Sequence, residues 1–168
     1  KFLIEHILKK IKDLGISNVY ISVNYLKNKI IKKLKSGSRY DLNISYIIEK
    51  KALGTAGCLS YLKKKTKDPI LVSNCDVITD MDYLKLLEFH VKKKSDLTVV
   101  VKEQQSTNPF GQIKIKDNKI INIVEKPMSL SYINAGIYVL NPKILRLINK
   151  NEEIDMNRLI SKLLILKK

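Results

Sequence analysis

The chain has 168 residues, enough for one domain with a buried core, and its apolar fraction of 45% excludes a disordered tail as the default. Its 32 basic residues against 16 acidic ones give a net charge of +16, which by itself suggests a polyanionic partner. Lysine supplies nearly all of that excess, Arg39, Arg146 and Arg158 being the arginines, and the lysines are scattered over helix faces, so solvated faces explain them and no nucleic-acid partner is expected. No apolar run reaches the length of a membrane span, and residues 1–15 lack the apolar core of a signal peptide. Cys58 and Cys75 make neither a disulfide framework nor a metal-ligand spacing. A soluble, cytoplasmic protein is the simplest expectation.

Taken in chain order, residues 2–14 carry apolar side chains at 3, 4, 7, 8, 11 and 14, the stripe of an amphipathic helix that Gly15 stops. Residues 18–23 read as a strand, 26–34 as a helix and 44–49 as the next strand, with a loop around Gly37. The block Leu53, Gly54, Thr55, Ala56, Gly57 opens a helix toward Leu62. Residues 69–73 form a compact apolar strand that ends at Asp76, and Thr79 with Asp82 predicts a capping box for a helix to about Lys93. A strand over 97–102 follows, then strands 111–115 and 120–125 flanking Asp117 and Asn118 as a hairpin, then a strand over 133–140. Asn141 and Pro142 suit an N-cap and first helical position, and a last helix starts near Asp155. Alternating helix and strand in the first half predicts a parallel sheet covered on both faces, in which ligands sit at the carboxyl ends of strands. No linker or internal repeat is evident, so residues 1–168 read as a single domain.

Four blocks at strand ends can carry chemistry. Asp76 can bind a hard cation such as Mg²⁺, which takes one or two carboxylates with substrate phosphates, or it is a turn residue. The small residues Gly54, Thr55, Ala56 and Gly57 let the backbone approach a flat ligand and precede a helix N-terminus that favours anions; the alternative is a tight turn under close helix packing. Glu49 either reads a base edge or is an exposed strand-end acid. Glu125 and Lys126, beside Pro127, offer an acceptor for sugar hydroxyls and a cation for phosphate, or are a solvated strand end. Asn134 and Gly136 offer an amide and uncluttered backbone, and Gly111 after Phe110 is similar. His6 and His90 have no paired ligand in sequence and read as structural; Cys75 reads as strand-end packing.

In this order the blocks resemble the nucleotidyltransferase family that makes nucleotide sugars, whose members include mannose-1-phosphate guanylyltransferases and glucose-1-phosphate thymidylyltransferases. Residues 2–6 are similar to its P-L-L-E-H helix start, with Phe2 in place of proline. Residues 53–57 are similar to its L-G-T-A-G nucleotide loop. Asn74, Cys75 and Asp76 resemble its N-G-D metal motif, with Cys75 in place of glycine, in a version similar to a subgroup tied to surface-sugar pathways and often fused to CBS domains. Pro109, Phe110 and Gly111 resemble P-Y-G, and Glu125, Lys126, Pro127 and Asn134, Ala135, Gly136 resemble the sugar-phosphate motifs.

The resemblance implies a Rossmann-like three-layer α/β/α sandwich with a mixed, mostly parallel sheet, and nucleotidyl transfer from an NTP to a sugar 1-phosphate for surface polysaccharide or glycoconjugate synthesis. It implies Mg²⁺ on Asp76, Lys126 positioning the sugar phosphate, Glu125 and Asn134 orienting the sugar, and Gly111 presenting backbone to it. Glu49, Leu53, Gly54, Thr55, Ala56 and Gly57 would border the nucleotide. The family's G-G-x-G-T-R-L loop and W-x-D-x-G segment are not matched in this sequence, so the expectation is a partial domain, inactive alone, with a homo-oligomer left open. A non-catalytic nucleotide-sugar binder is the alternative reading, and a basic polyanion-binding module a more distant one.

Overall fold

The computed structural model describes residues 3–63 and 65–166, and these fall into two compact units: one within Lys1–Thr98 and Ile137–Lys168, the other Val99–Gly136. Phe2, expected at the start of the first helix, lies outside the described residues.

The first unit begins with helix α1 (Ile4–Asp13), whose Leu8 is buried and whose Ile4 and Ile11 pack beside it. Gly15, at φ +73°, ends it with an N–H donated to the Lys12 carbonyl at 2.9 Å. Strand β1 (Asn18–Val23) and strand β2 (Asn43–Ile48) pair in parallel, in the register Asn18↔Asn43 to Val23↔Ile48, joined through helix α2 (Lys27–Leu34). Alternation along β1 and β2 turns Ile21, Val23 and Ile44 to one face, where they join Leu8, Leu34, Tyr40 and Leu42 in one apolar cluster, while Ile47 is buried on the opposite face. Gly37 closes the α2–β2 connection at φ +87°, where a Cβ would stand 2.6 Å from the Leu42 carbonyl oxygen, so no larger residue fits. Glu5, buried on α1, accepts a 2.5 Å hydrogen bond from the Tyr40 hydroxyl.

A second part of the same unit is built from helix α3 (Gly54–Gly57), the 3₁₀ turn Cys58–Leu62, the 3₁₀ turn Pro142–Leu147 and helix α5 (Met156–Ile165). Helix α3 packs on α5, and the two 3₁₀ turns pack on each other. Leu53, Leu59, Leu62, Ile144, Leu145, Ile148, Ile154, Met156, Leu159 and Leu163 are all buried. Asn141 caps the 142–147 turn by accepting from the Lys143 N–H, with Pro142 following it as expected.

Strand β3 (Ile70–Ser73) leads to helix α4 (Tyr83–Lys92) and strand β4 (Leu97–Thr107). The cap of α4 differs from expectation. Asp82 itself is the N-cap, accepting from Leu84 and Lys85, while Thr79 closes a separate turn onto Met81 N–H.

The strands are mixed in direction, as expected, but they are divided among separate sheets. There are three sheets among the described residues: β1–β2; β3, β7 (Met128–Leu140) and β4 in the order β3-β7-β4; and a hairpin of β5 (Gln112–Lys116) with β6 (Lys119–Val124). β7 pairs antiparallel to β3, from Ile70↔Leu140 to Ser73↔Ile137. The cause is the connection: β4 reaches β7 through a hairpin, not a helical crossover, and only a crossover returns a strand in parallel.

The second unit holds that hairpin, β5 (Gln112–Lys116) and β6 (Lys119–Val124), with the outer lengths of β4 and β7. Asp117 and Asn118 sit at φ +49° and +59°, the left-handed pair of a two-residue hairpin turn, where short polar side chains are tolerated. β4 and β7 are longer than expected: the residues added to β4 are polar, and those added to β7 alternate Met128, Leu130 and Tyr132 with Ser129 and Ser131. The Ser106 and Ser129 hydroxyls bond at 2.7 Å and Ser131 donates to the Gln104 carbonyl, pairing that an apolar pattern does not reveal. Apart from half-buried Pro127, every residue from 101 to 134 is exposed.

Candidate functional site

The first unit carries Asp76 and the 49–57 segment. Asp76 stands in the turn after β3, exposed, and among the described residues no hydrogen bond or ion pair holds its carboxylate. No group of three His, Cys, Asp or Glu side chains able to hold a metal occurs among the described residues. A lone, unpaired carboxylate fits Mg²⁺ only in the manner in which substrate phosphates and water complete the shell. Cys75, beside it, is exposed and not packed at the strand end as expected. The loop is tied from outside by α1: Lys10 Nζ donates 2.9 Å to the Thr79 carbonyl and lies 4.8 Å from the ring centroid of buried Tyr83.

The 53–57 block is held on every side. Leu53 N–H donates 2.9 Å to Glu49 Oε2, and the Ser22 hydroxyl donates to Glu49 Oε1. Thr55 N–H donates 3.2 Å to Asp155 Oδ1, and Thr55 Oγ1 accepts from Met156 N–H at 2.8 Å. Ala56 and Gly57 N–H groups both donate to the Ile154 carbonyl, at 3.0 and 3.1 Å, and Ile154 N–H returns a 2.9 Å bond to the Leu53 carbonyl. The glycines follow from this closeness. A Cβ on Gly54 would stand 2.7 Å from both Asp155 Oδ1 and the Ile154 carbonyl oxygen, and one on Gly57 would stand 2.4 Å from the Glu152 carbonyl oxygen. Glu152 is fixed in turn, since Lys162 at 2.8 Å and the Asn149 N–H hold its carboxyl below the usual range.

The geometry matches the second of the two readings of the block. It is a tight turn under close helix packing, and its N–H groups at Leu53, Thr55, Ala56 and Gly57 already have protein acceptors. Of its five residues only Gly54, half-buried, and Thr55, exposed, reach solvent, while Leu53, Ala56 and Gly57 are buried. Glu49 is half-buried and engaged at both oxygens, so the reading as an exposed strand-end acid does not hold. Burial pushes the Cys58 thiol up, opposed by its bond with Ser22.

The second unit brings Gly111 and Glu125 together: a Cβ on Gly111 would stand 2.9 Å from Glu125 Oε2. Pairing of Gln112 with Val124 at the hairpin's open end places them opposite each other. Lys126 follows at φ +43°, a left-handed conformation that is strained for lysine. Neither Glu125 nor Lys126 has a hydrogen-bond or ion-pair partner among the described residues. Asn134 Oδ1 accepts from the Gly136 N–H at 3.0 Å, and Gly136 takes φ +73°.

Sequence reasoning missed Ser22, Lys10, Asp155 and the Ile154 carbonyl. The last helix does start beside Asp155, which stands at the N-cap position of α5, but its side chain serves Thr55, and Thr55 caps α5 in exchange. His6 and His90 are outside these groups; His90 is buried against Thr98, as a structural histidine should be. No described helix is long and apolar enough to cross a membrane.

A mannose-1-phosphate guanyltransferase of Yarrowia lipolytica is 35% identical over 157 residues, covering 89% of this chain and 43% of that protein. The chain thus spans less than half the length of such relatives. HddC from Yersinia pseudotuberculosis has the same fold, with a TM-score of 0.66 at 26% identity over 90% of this chain and 69% of that one. HddC complexed with GMP-PN superposes with a TM-score of 0.67 at 24% identity, over 90% of this chain and 68% of that one. Residues 1–165 match the family described as nucleotidyl transferase. With that match along nearly its whole length, the chain belongs to the nucleotidyl transferase family.

Proposed function

We propose that the protein transfers a nucleotidyl group from an NTP to a sugar 1-phosphate. A phosphate oxygen of the sugar attacks the α-phosphorus, the α–β bridging bond breaks, and pyrophosphate leaves with that electron pair. Guanylyl transfer to mannose 1-phosphate is the first pair to test, because that is the activity in the name of the Yarrowia relative. The observation that carries the reading is a contrast within the chain. Asp76, Glu125 and Lys126 are exposed charges with no protein partner among the described residues, while the Glu49 carboxylate and the Leu53 and Thr55 N–H groups are bonded to protein.

Lys126 pairs with the sugar phosphate and Glu125 accepts from sugar hydroxyls, with Gly111 leaving room for its carboxylate and Asn134 supplying an amide. The 53–57 ribbon lies along the nucleotide base, with Glu49 at its edge. Mg²⁺ at Asp76 would offset charge on the phosphates. Catalysis of this kind rests on positioning and electrostatics rather than on a covalent protein intermediate. The reaction belongs to the cytoplasm, where NTPs are made, and its product feeds surface polysaccharide or glycoconjugate synthesis.

The test is pyrophosphate release by the whole protein with Mg²⁺, each NTP and a panel of sugar 1-phosphates. Release with one pair fixes the reaction. Nucleotide-sugar binding without release from any pair replaces the enzyme with a binding protein.

A further inference from the structure

Ser22 and Glu49 come from neighbouring parallel strands and meet at their carboxyl ends, where a parallel sheet binds ligands. The β1–β2 ladder continues one residue past β2, because Glu49 N–H donates 2.9 Å to the Val23 carbonyl. That bond fixes the Glu49 backbone beside Ser22. The side chain then divides its oxygens: Oε1 takes the Ser22 hydroxyl, and Oε2 reaches four residues ahead to the Leu53 N–H at 2.9 Å. The connection from strand to loop is thereby closed into a ring. Ser22 also acts on the half-buried Cys58 thiol, at the far side of the same loop, drawing its pKa down against the effect of burial. One hydroxyl on β1 is thus linked to both ends of the 53–57 block.

We propose that Ser22 is a positioning residue of the nucleotide subsite, acting through Glu49 to set the height and orientation of the 53–57 ribbon against the base. This rests on the reading of the protein as a nucleotidyltransferase. A carboxylate has about four lone-pair sites, so two donors from the protein fix Glu49 in one rotamer and leave acceptor capacity toward a ligand. Without Ser22 the carboxylate rotates, and Leu53 loses the acceptor that defines the entry to α3. Charge-assisted bonds of this type are the stronger ones, yet this one is exposed to water, so its loss reads as a modest weakening.

The experiment uses the whole protein with Ser22→Ala, Ser22→Thr and Glu49→Ala, each over a Cys75→Ser background. Ser22→Ala is expected to raise the KM for the preferred NTP roughly 3- to 10-fold, with kcat and the KM for sugar 1-phosphate within about twofold. Ser22→Thr keeps the hydroxyl and restores the NTP KM. In parallel, hydrogen exchange of the Leu53 amide and alkylation of Cys58 speed up in Ser22→Ala and Glu49→Ala, while amides within β1 and β2 keep their protection. Unchanged exchange and alkylation in both alanine variants would overturn the proposal. So would an equal loss on kcat and both KM values, which marks general destabilisation. Absence of NTP turnover and binding in the wild type overturns the functional reading and the nucleotide half of this proposal. The exchange and alkylation data then show separately whether Ser22 holds the loop.

Discussion

The carboxylate of Glu125 occupies the space that a side chain on Gly111 would fill, 2.9 Å from the position of its Cβ. The glycine is required by its neighbour across the hairpin end rather than by its own backbone, since its φ is ordinary. Gly111→Ala is therefore expected to fold and to displace the Glu125 carboxylate by a rotamer. The KM for sugar 1-phosphate should rise about 5- to 20-fold, with the NTP KM unchanged. Steady-state kinetics with each substrate varied in turn checks it.

Lys126 separates a backbone effect from a charge effect. At φ +43° a lysine bears a strain that glycine does not. Lys126→Gly is expected to exceed Lys126→Ala in stability by roughly 0.5–1 kcal/mol, measured by urea unfolding. Both variants should lose sugar-phosphate affinity alike, because both lack the ammonium. Retained affinity in either one would remove Lys126 from the phosphate site.

Asp76→Asn keeps the shape of the turn and removes the charge. Turnover should fall by at least about a hundredfold, with NTP binding measured without Mg²⁺ changed little. Near wild-type turnover would exclude Asp76 as the metal-binding carboxylate.

Stability has its own tests away from these groups. Tyr40 donates to the carboxylate of Glu5, a residue with only 7% of its surface exposed. Removing that donor in Tyr40→Phe should cost about 1–3 kcal/mol in urea unfolding. A change below the error of the measurement would show that the bond is replaced by another donor.

His90 gives stability a pH dependence. Burial pushes its pKa below the usual histidine value, against a smaller opposing pull from Asp96. The unfolded chain then binds the proton more readily than the folded one. The contribution of neutral His90 is complete above the unfolded pKa, about 6.5, declines as pH falls toward the folded pKa, and levels off below it. Urea midpoints at pH 7.5 and 5 should differ more in the wild type than in His90→Gln.

The elements with strong local signals were legible in the sequence. The apolar stripe of α1, the 18–23 strand, the Asp117–Asn118 turn and the Asn141 cap each depend on residues within one turn or strand of each other. The hairpin announced a mixed sheet, but the place of β7 between β3 and β4 was not legible, because strand order depends on which edge a segment meets and not on its composition. The same limit applied to the 53–57 block. Its small residues announced a close approach, but what approaches includes residues 152–155, about a hundred positions away. Ser22 gave no signal at all, since an isolated serine on a strand is common and its importance comes only from the neighbour that β2 supplies.

The exchange of caps between Thr55 and Met156 spans 101 residues of sequence, and that between Thr55 and Asp155 spans 100. During synthesis the 53–57 segment therefore emerges long before its acceptors exist. At ordinary elongation rates of about 5–20 residues per second, the wait is on the order of 5–20 s. Until α5 is made, the N–H groups of Thr55, Ala56 and Gly57 face water, and Leu53 and Ala56 lack the helix that covers them. The ribbon thus matures last, at the moment the nascent chain delivers Ile154.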